Sequence, residues 1–571
     1  MGRRCRYLIL GLLSLCLSWL LFSSLEAQAS VSRYQIFPEP VAAVDDRLFG
    51  HFLERASWGE PGPEISLVPG TGQIYPAAVE LMREMNIPIL RFPGGTDVDY
   101  TDWRDLISNV PGRAPERPVT VGHLGGEITN RFGLDEYFQL RDTLGKSSGA
   151  PVPETILVTN FLDAVSGKVP LEQAALSAAG LVAYVNASLG QPLPSGMPDW
   201  PGVRAQNGHP QPYGVEYLQI GNELWSYNFQ RLVREGTGLT EPAELAQWYL
   251  RCLRAYIAAI DAVDPTTELM VDGAMGQGIE QTVLADPAVR SRVRYAAFHD
   301  YAPGRTHQVR LDGEPYPRQR LSLADWWRAW VAMPGRFSED GVNIAFGDRI
   351  ALARSLGYDI AATEWNWNGW GFDNIDPEPT SWRLASGIGT AGFLNGLIRQ
   401  AADVKLACQS MLVGAYWDIT GIRVDPADEM PPYYLPQGQM TGFYSRHHGA
   451  TLLRAEATNV PRYAQPYAMG WAGAPDHDVA LIDLVATADE DRLYIHAINR
   501  AFDRALPVEL DLAALPEVGK LARQYLYVAK PGDTSASEVA EILPQSLVVT
   551  NKKVSLMLPK QSVSIVEIAR T

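Results

Sequence analysis

The chain has 571 residues, 20% charged and 46% hydrophobic, an ordinary globular composition with length enough for one large domain and a smaller one. Its 48 Lys+Arg against 65 Asp+Glu give a net charge of −17, which argues against nucleic acid and anionic membrane surfaces as partners. Two of the four cysteines, Cys5 and Cys16, sit near the N-terminus, so Cys252 and Cys408 form no disulfide framework; one bridge or two buried thiols both fit.

Arg3, Arg4 and Arg6 precede an almost wholly apolar run over residues 7–22, and Ala27-Gln28-Ala29 is a small-x-small cleavage site. This predicts a signal peptide over residues 1–29 and a secreted mature protein, extracellular or periplasmic. An uncleaved anchor is the competing reading, because the run is near the lower limit for spanning a bilayer. No later segment reads as a membrane span.

From Leu48 to about residue 449 helices and strands alternate. Val79, Met82 and Met85 have helical spacing, residues 87–91 read as a short strand, and Pro93-Gly94-Gly95 as a turn. A helix over 134–144, a strand over 155–160, a helix over 171–185 and a strand over 215–220 follow. Leu245, Trp248, Tyr249, Cys252, Tyr256 and Ile260 form the stripe of a long helix. Residues 269–272, 295–298, 360–363 and 411–416 are further strands. Repeated βα units of this kind predict an α/β fold, a (β/α)8 TIM barrel over residues 46–449. An open doubly wound sheet is the alternative, weakened by the lack of a Gly-rich phosphate loop after the first strand.

After residue 450 short strands over 479–484, 492–497, 506–510, 524–528 and 562–568 alternate with turns, the pattern of a β-sandwich. Residues 31–44 also read as strand and are expected to join it, giving a domain built from 30–45 and 450–571.

Two carboxylates close apolar strands. One ends Gln219-Ile-Gly-Asn-Glu223, the other Ala361-Ala-Thr-Glu364-Trp365, and they lie 141 positions apart. At roughly 45–50 residues per βα unit this is about three units, which puts them on the fourth and seventh strands. Those strands face each other across the barrel mouth, where two carboxylates can flank one glycosidic bond. A single Glu at a strand end is usually a solvated loop residue; the pair carries the argument. The nine His are scattered without metal-ligand spacing, so no metal or cofactor is implied.

Leu48-Phe-Gly-His-Phe-Leu-Glu54, Arg91-Phe-Pro-Gly-Gly95, Tyr100-Thr-Asp-Trp-Arg-Asp105, Phe132-Gly-Leu-Asp-Glu136, Arg204 to Tyr217 running into Gly221-Asn222-Glu223, Phe298-His-Asp-Tyr301 and Glu364-Trp365-Asn366 occur in this order. Together they resemble glycoside hydrolase family 51, the α-L-arabinofuranosidases, over residues 48–370. The resemblance implies a retaining hydrolase that removes non-reducing-end arabinofuranosyl groups from poly- or oligosaccharides by double displacement. It implies Glu223 as acid/base, Glu364 as nucleophile, Asn222 as a partner of the sugar 2-hydroxyl, Tyr301 as a partner of the nucleophile, and Glu54 and Arg91 as glycone-binding and bracing residues. It also leaves room for a homo-oligomer.

The chain departs from the family in three places. Thr96-Asp97 stands where the family has an Asn that touches the sugar, so Asp97 is a candidate replacement contact. Arg55 stands where a His is usual. The segment from Trp365 to Phe372 is rich in aromatics, which makes Trp365 a candidate sugar platform, and Trp417, Asp418 and Gln439 are candidate lining residues near the eighth strand. These departures keep two rivals open: a related hydrolase of a β-xyloside, β-glucuronide or β-glucan, and a carbohydrate-binding protein without turnover.

Overall fold

The computed structural model describes residues 30–570 apart from 56, 58, 69–70, 147–150, 303–308, 333–346, 368–381, 418, 428, 470–474 and 532–541. Residues 1–29, where a signal peptide is expected, the aromatic segment beyond residue 367 and Asp418 therefore lie outside the described residues.

The described chain opens in β1 (Ser32–Ala43) and then enters a closed barrel. Its eight parallel strands follow one another around the ring in chain order: β2 (Gly50–Glu54), β3 (Ile89–Gly94), β4 (Glu154–Thr159), β5 (Tyr217–Ile220), β6 (Glu268–Asp272), β7 (Val293–Ala302), β8 (Asp359–Trp367) and β9 (Val404–Ser410). The predicted barrel is thus observed, and the open sheet is excluded because β9 pairs with β2 and closes the ring.

Strand alternation decides which side chains enter the barrel. Phe52, Ile89, Ile156, Tyr217, Met270, Tyr295 and Ala361 form a packed layer inside it. Their neighbours Leu53, Leu90, Leu157, Leu218, Leu269 and Ala296 point outward to the helices. Two residues beyond the inner layer, alternation brings Glu54, Arg91, Gln219 and Ala297 inward, and a further step on β7 brings His299 and Tyr301.

The helices follow their stripes. α1 (Leu171–Asn186) buries Leu171, Ala174, Ala175, Ala178, Leu181, Val182 and Val185, the i, i+3, i+4 spacing of one face. α2 (Pro242–Asp261) begins with Pro at its first turn, where the missing N–H costs nothing, and buries Leu245, Tyr249, Cys252, Tyr256 and Ile260. α3 (Trp382–Arg399) leads into β9.

Beyond the barrel come β10 (Thr451–Thr458), β11 (Ile482–Ala488), β12 (Arg492–Asn499), β13 (Leu506–Asp511), β14 (Val518–Tyr527), β15 (Pro544–Val548), β16 (Lys553–Leu558) and β17 (Ser562–Arg570). They run in the order β15-β14-β17-β12-β11-β10-β1-β13-β16. β1 pairs antiparallel with β10 and parallel with β13. Ile36, Ile495, Val508, Val554 and Val566, drawn from distant parts of this sheet, share one apolar cluster, so the sheet folds over a core of its own. Its junction with the barrel is ionic as well as apolar: Asp483 of β11 is fully buried and accepts from Arg399 of α3 and from Arg500 Nη2 at 2.6 Å.

Candidate active site

Glu364 comes into the barrel mouth through a bulge. Ala362 of β8 pairs with Phe298 and Glu364 with His299, so Thr363 is an extra residue in the ladder. Ala361 faces inward and Ala362 outward; strict alternation would send Glu364 outward as well. The bulge turns it inward, as bulges beside functional sites do.

Glu223 is placed by a turn. It lies three residues past β5 with φ of 50°, in the left-handed region, just after Gly221 with φ of 79°. The residues on either side are tied through their N–H groups to buried carboxylates. Asn222 N–H donates to Asp99 Oδ2 at 3.3 Å, and Leu224 N–H to Asp272 Oδ2 at 2.6 Å.

The two glutamates meet at His299. Its Nδ1 is 3.0 Å from Glu223 Oε1 and 3.5 Å from Glu364 Oε2, and its Nε2 is 3.1 Å from Thr363 Oγ1. One donor atom from each of Glu223, His299 and Glu364 lies within 4.8 Å of the others. Among the described residues this is also the His/carboxylate cluster close enough to share a cation, although the three groups already satisfy one another.

Glu364 is held from two further sides. Arg91 Nη1 donates to its Oε1 at 2.8 Å, and the Tyr301 hydroxyl to its Oε2 at 2.7 Å. Burial pushes the Glu364 carboxyl up, but the charges of His299 and Arg91 and the hydrogen bonds from Tyr301 and Arg91 outweigh it, and the net direction is down. The carboxylate is therefore the stable form. His299 shifts the other way: burial disfavours its charge, the two glutamates favour it, and the net direction is up.

Arg91 is a distributor. With no solvent exposure, it donates from Nε to Gln219 Oε1 at 2.9 Å and from Nη2 to Asn222 Oδ1 at 2.7 Å, while its guanidinium sits 4.8 Å from the Phe52 ring centre. This leaves Asn222 Nδ2 buried and without a partner among the described residues. Glu54 is pushed well above the usual carboxylate range by burial and by the nearby Glu364, Asp97 and Glu223. It lies against Gly95, where a Cβ would come within 2.0 Å of Glu54 Oε1; only glycine leaves room for it, and its φ of 77° suits glycine too.

Two expected contacts are corrected. Trp365 follows the inward-turned Glu364, so alternation sends it to the outer face of the barrel. There it is fully buried and stacked on Phe393, ring centres 4.5 Å apart, with no face left for a sugar. Asp97 is also buried and spends its oxygens on a loop: Ser57 N–H and Oγ donate to it at 2.6 and 3.1 Å, His123 N–H at 2.8 Å, and His123 Nδ1 lies 2.9 Å away. It closes the wall of the mouth instead of presenting a free carboxylate. Sequence reasoning gave no role to His299, Gln219, Asp99 or Asp272. For His299, Gln219 and Asp272 the available signal was a polar residue at an inward position or at the end of an apolar strand, the same signal that marked Glu223; Asp99, in the helical turn Thr96–Tyr100 after β3, carried none.

The chain matches the model of the alpha-L-arabinofuranosidase 1 domain over residues 81–310. It is 24% identical over 499 residues to an intracellular exo-α-(1→5)-L-arabinofuranosidase of Streptomyces lividans, covering 83% of this chain but 65% of that one, so it spans just under two thirds of that relative's length. It is 22% identical over 491 residues to an intracellular exo-α-(1→5)-L-arabinofuranosidase of Bacillus subtilis, covering 81% and 83%. The crystal structure of an α-L-arabinofuranosidase from Thermotoga maritima superposes with a TM-score of 0.69 at 21% identity, covering 94% of this chain and all of that one, which shows a shared fold. The resemblance to glycoside hydrolase family 51 holds. The named relatives are arabinofuranosidases and hence glycoside hydrolases, the enzyme class expected from the two strand-end glutamates.

The same comparisons correct the expected location. The S. lividans, B. subtilis and Halalkalibacterium halodurans relatives are named intracellular, which stands against the expected secretion. The basic and apolar pattern behind that expectation is a local property of residues 1–29 and is independent of the barrel that follows. Cys252 and Cys408 are both free and buried, which settles the open choice between one bridge and two buried thiols. Among the described residues no helix is long and apolar enough to cross a membrane.

Proposed function

We propose that this protein is a retaining glycoside hydrolase that releases terminal α-L-arabinofuranosyl groups from oligosaccharides or polysaccharides. The observation that carries the reading is the Glu223–His299–Glu364 cluster, with its donor atoms inside 4.8 Å, the short spacing that suits direct attack by a carboxylate. An inverting enzyme needs room for a water between its carboxyl groups and spaces them more widely.

In the first step Glu364, kept ionised by Arg91, His299 and Tyr301, attacks the anomeric carbon. The bond to the leaving oxygen breaks as Glu223 gives that oxygen its proton. His299 occupies Glu223 Oε1 and leaves the other oxygen for proton transfer. The product is a glycosyl ester on Glu364. In the second step Glu223, now ionised, takes a proton from water, which attacks the same carbon and expels Glu364. Two inversions retain the configuration. Asn222 Nδ2 is the donor available to a ring hydroxyl, and Glu54, favoured in its neutral form, is a second.

A panel of nitrophenyl glycosides tests the proposal: α-L-arabinofuranoside beside β-xyloside, β-glucoside and β-glucuronide. Turnover of the arabinofuranoside alone is expected. Turnover of another member instead would move the substrate to the related-hydrolase reading, and no turnover of any member or of arabinose-containing polysaccharide would favour a binding protein.

A further inference from the structure

Glu223 sits in a backbone conformation that a residue with a side chain rarely adopts, at φ of 50°. Something must hold it there. The structure shows a buried carboxylate on each side: Asp99 takes the N–H of Asn222, and Asp272 takes the N–H of Leu224. Asp272 ends the neighbouring strand β6 and reaches across to the turn that follows β5. Asp99 also accepts from the N–H groups of Phe161 and Leu162 at 2.9 and 3.2 Å, which fixes it to the end of β4. The turn is caught on its carbonyl side as well, where Gln230 Nε2 donates to Leu224 O at 2.5 Å.

A carboxylate is a costly group to bury, and among the described residues neither of these forms an ion pair with Lys or Arg. Burial pushes both up, each to about 7. A neutral amide or hydroxyl could accept one N–H at lower cost. What two carboxylates add is strength and direction at the N–H groups of the two residues on either side of the acid/base.

We propose that Asp272, with Asp99, is a positioning residue for Glu223: by accepting the flanking N–H groups the pair locks the left-handed turn that aims the Glu223 carboxyl at the leaving oxygen. The inference rests on the reading of Glu223 as acid/base. Loss of the clamp would leave Glu364 and its partners in place, so it should weaken proton donation far more than nucleophilic attack.

The test is a series of aryl glycosides, of the sugar that the panel selects, with leaving groups from dinitrophenol to phenol. It follows kcat/KM, which reports the first step. Good leaving groups need no acid and poor ones do. For Asp272→Ala the loss on the phenyl glycoside is expected to exceed the loss on the dinitrophenyl glycoside by about tenfold or more, a fraction of the 10²–10⁴ that a general acid supplies. Asp272→Asn, whose carbonyl oxygen can still accept the Leu224 N–H, should restore most of the difference. In a Glu223→Ala background, Asp272→Ala should add no further dependence on the leaving group. Should Asp272→Ala fail to fold, Asp272→Ser, too short to reach Leu224, is expected to show the same steepening. A uniform loss across the series, or an undiminished steepening in the Glu223→Ala background, would overturn the inference. If Glu223→Ala itself leaves the leaving-group dependence at the wild-type value, the acid/base reading fails, whatever Asp272 does.

Discussion

Arg91 donates to Glu364 at 2.8 Å from a position with no solvent exposure, and the same guanidinium holds Asn222 at 2.7 Å. One side chain thus fixes the proposed nucleophile and the residue beside the proposed acid/base. Arg91→Ala would take from a buried carboxylate its arginine partner and leave it to His299 and Tyr301. Breaking such a pair costs about 3–5 kcal/mol of stability, and removing one preorganised donor lowers kcat by roughly a hundredfold or more. Chemical denaturation and steady-state kinetics on the same variant check both numbers.

Tyr301→Phe removes the hydroxyl that donates to Glu364 Oε2 and keeps the ring. A hydrogen bond to a charged group is worth about 1.5–3 kcal/mol, so kcat should fall by roughly ten- to a hundredfold. Tyr301 helps to lower the Glu364 pKa, so the acid limb of the kcat/KM profile should move to higher pH in this variant. An unmoved limb would mean that Glu364 is not the group titrating there.

Stability should fall from weakly acid toward alkaline pH. Asp99 and Asp272 titrate near pH 7 when folded against 3.8 unfolded, so between those values the folded state holds more protons. Their contribution is full below about pH 4 and is lost as pH rises through 7. His299, raised by its glutamate neighbours, acts in the same direction. Glu364 and Asp483, both lowered, act the opposite way and lose their contribution only at more acid pH. Calorimetry from pH 4.5 to 8.5 should show Tm decreasing, with a shallower decrease in Asp272→Asn.

Trp365 should behave as a core residue. Trp365→Ala removes a fully buried ring and is expected to cost about 3–5 kcal/mol, while KM for a nitrophenyl substrate stays unchanged at temperatures where the variant is folded. A large rise in KM without loss of stability would return Trp365 to the substrate.

The barrel was legible because its strands carry a regular inward and outward alternation between amphipathic helices. Glu223 was legible because it ends an apolar strand in a polar pair, and Arg91 only through the Arg-Phe-Pro-Gly-Gly motif that carries the family resemblance. What stayed hidden depends on contacts between distant residues. The extra residue at Thr363 is invisible without β7 beside it, so Trp365 was read as a neighbour of Glu364 when the strand puts it on the other face. The partners of Asp97, Ser57 and His123, lie 40 and 26 positions away. The strands Pro544–Val548 and Lys553–Leu558 were not anticipated; the first is mostly solvent-exposed at the sheet edge and lacks an apolar stripe.

The central claim is that Glu364 forms a covalent bond to the sugar. An activated 2-fluoro arabinofuranoside slows the second step and lets that ester accumulate for peptide mass spectrometry. The account predicts one sugar per chain, on the peptide that carries Glu364, and none on Glu364→Gln. Label on a different carboxylate, or no label on an enzyme that turns over the parent glycoside with inverted configuration, would contradict it.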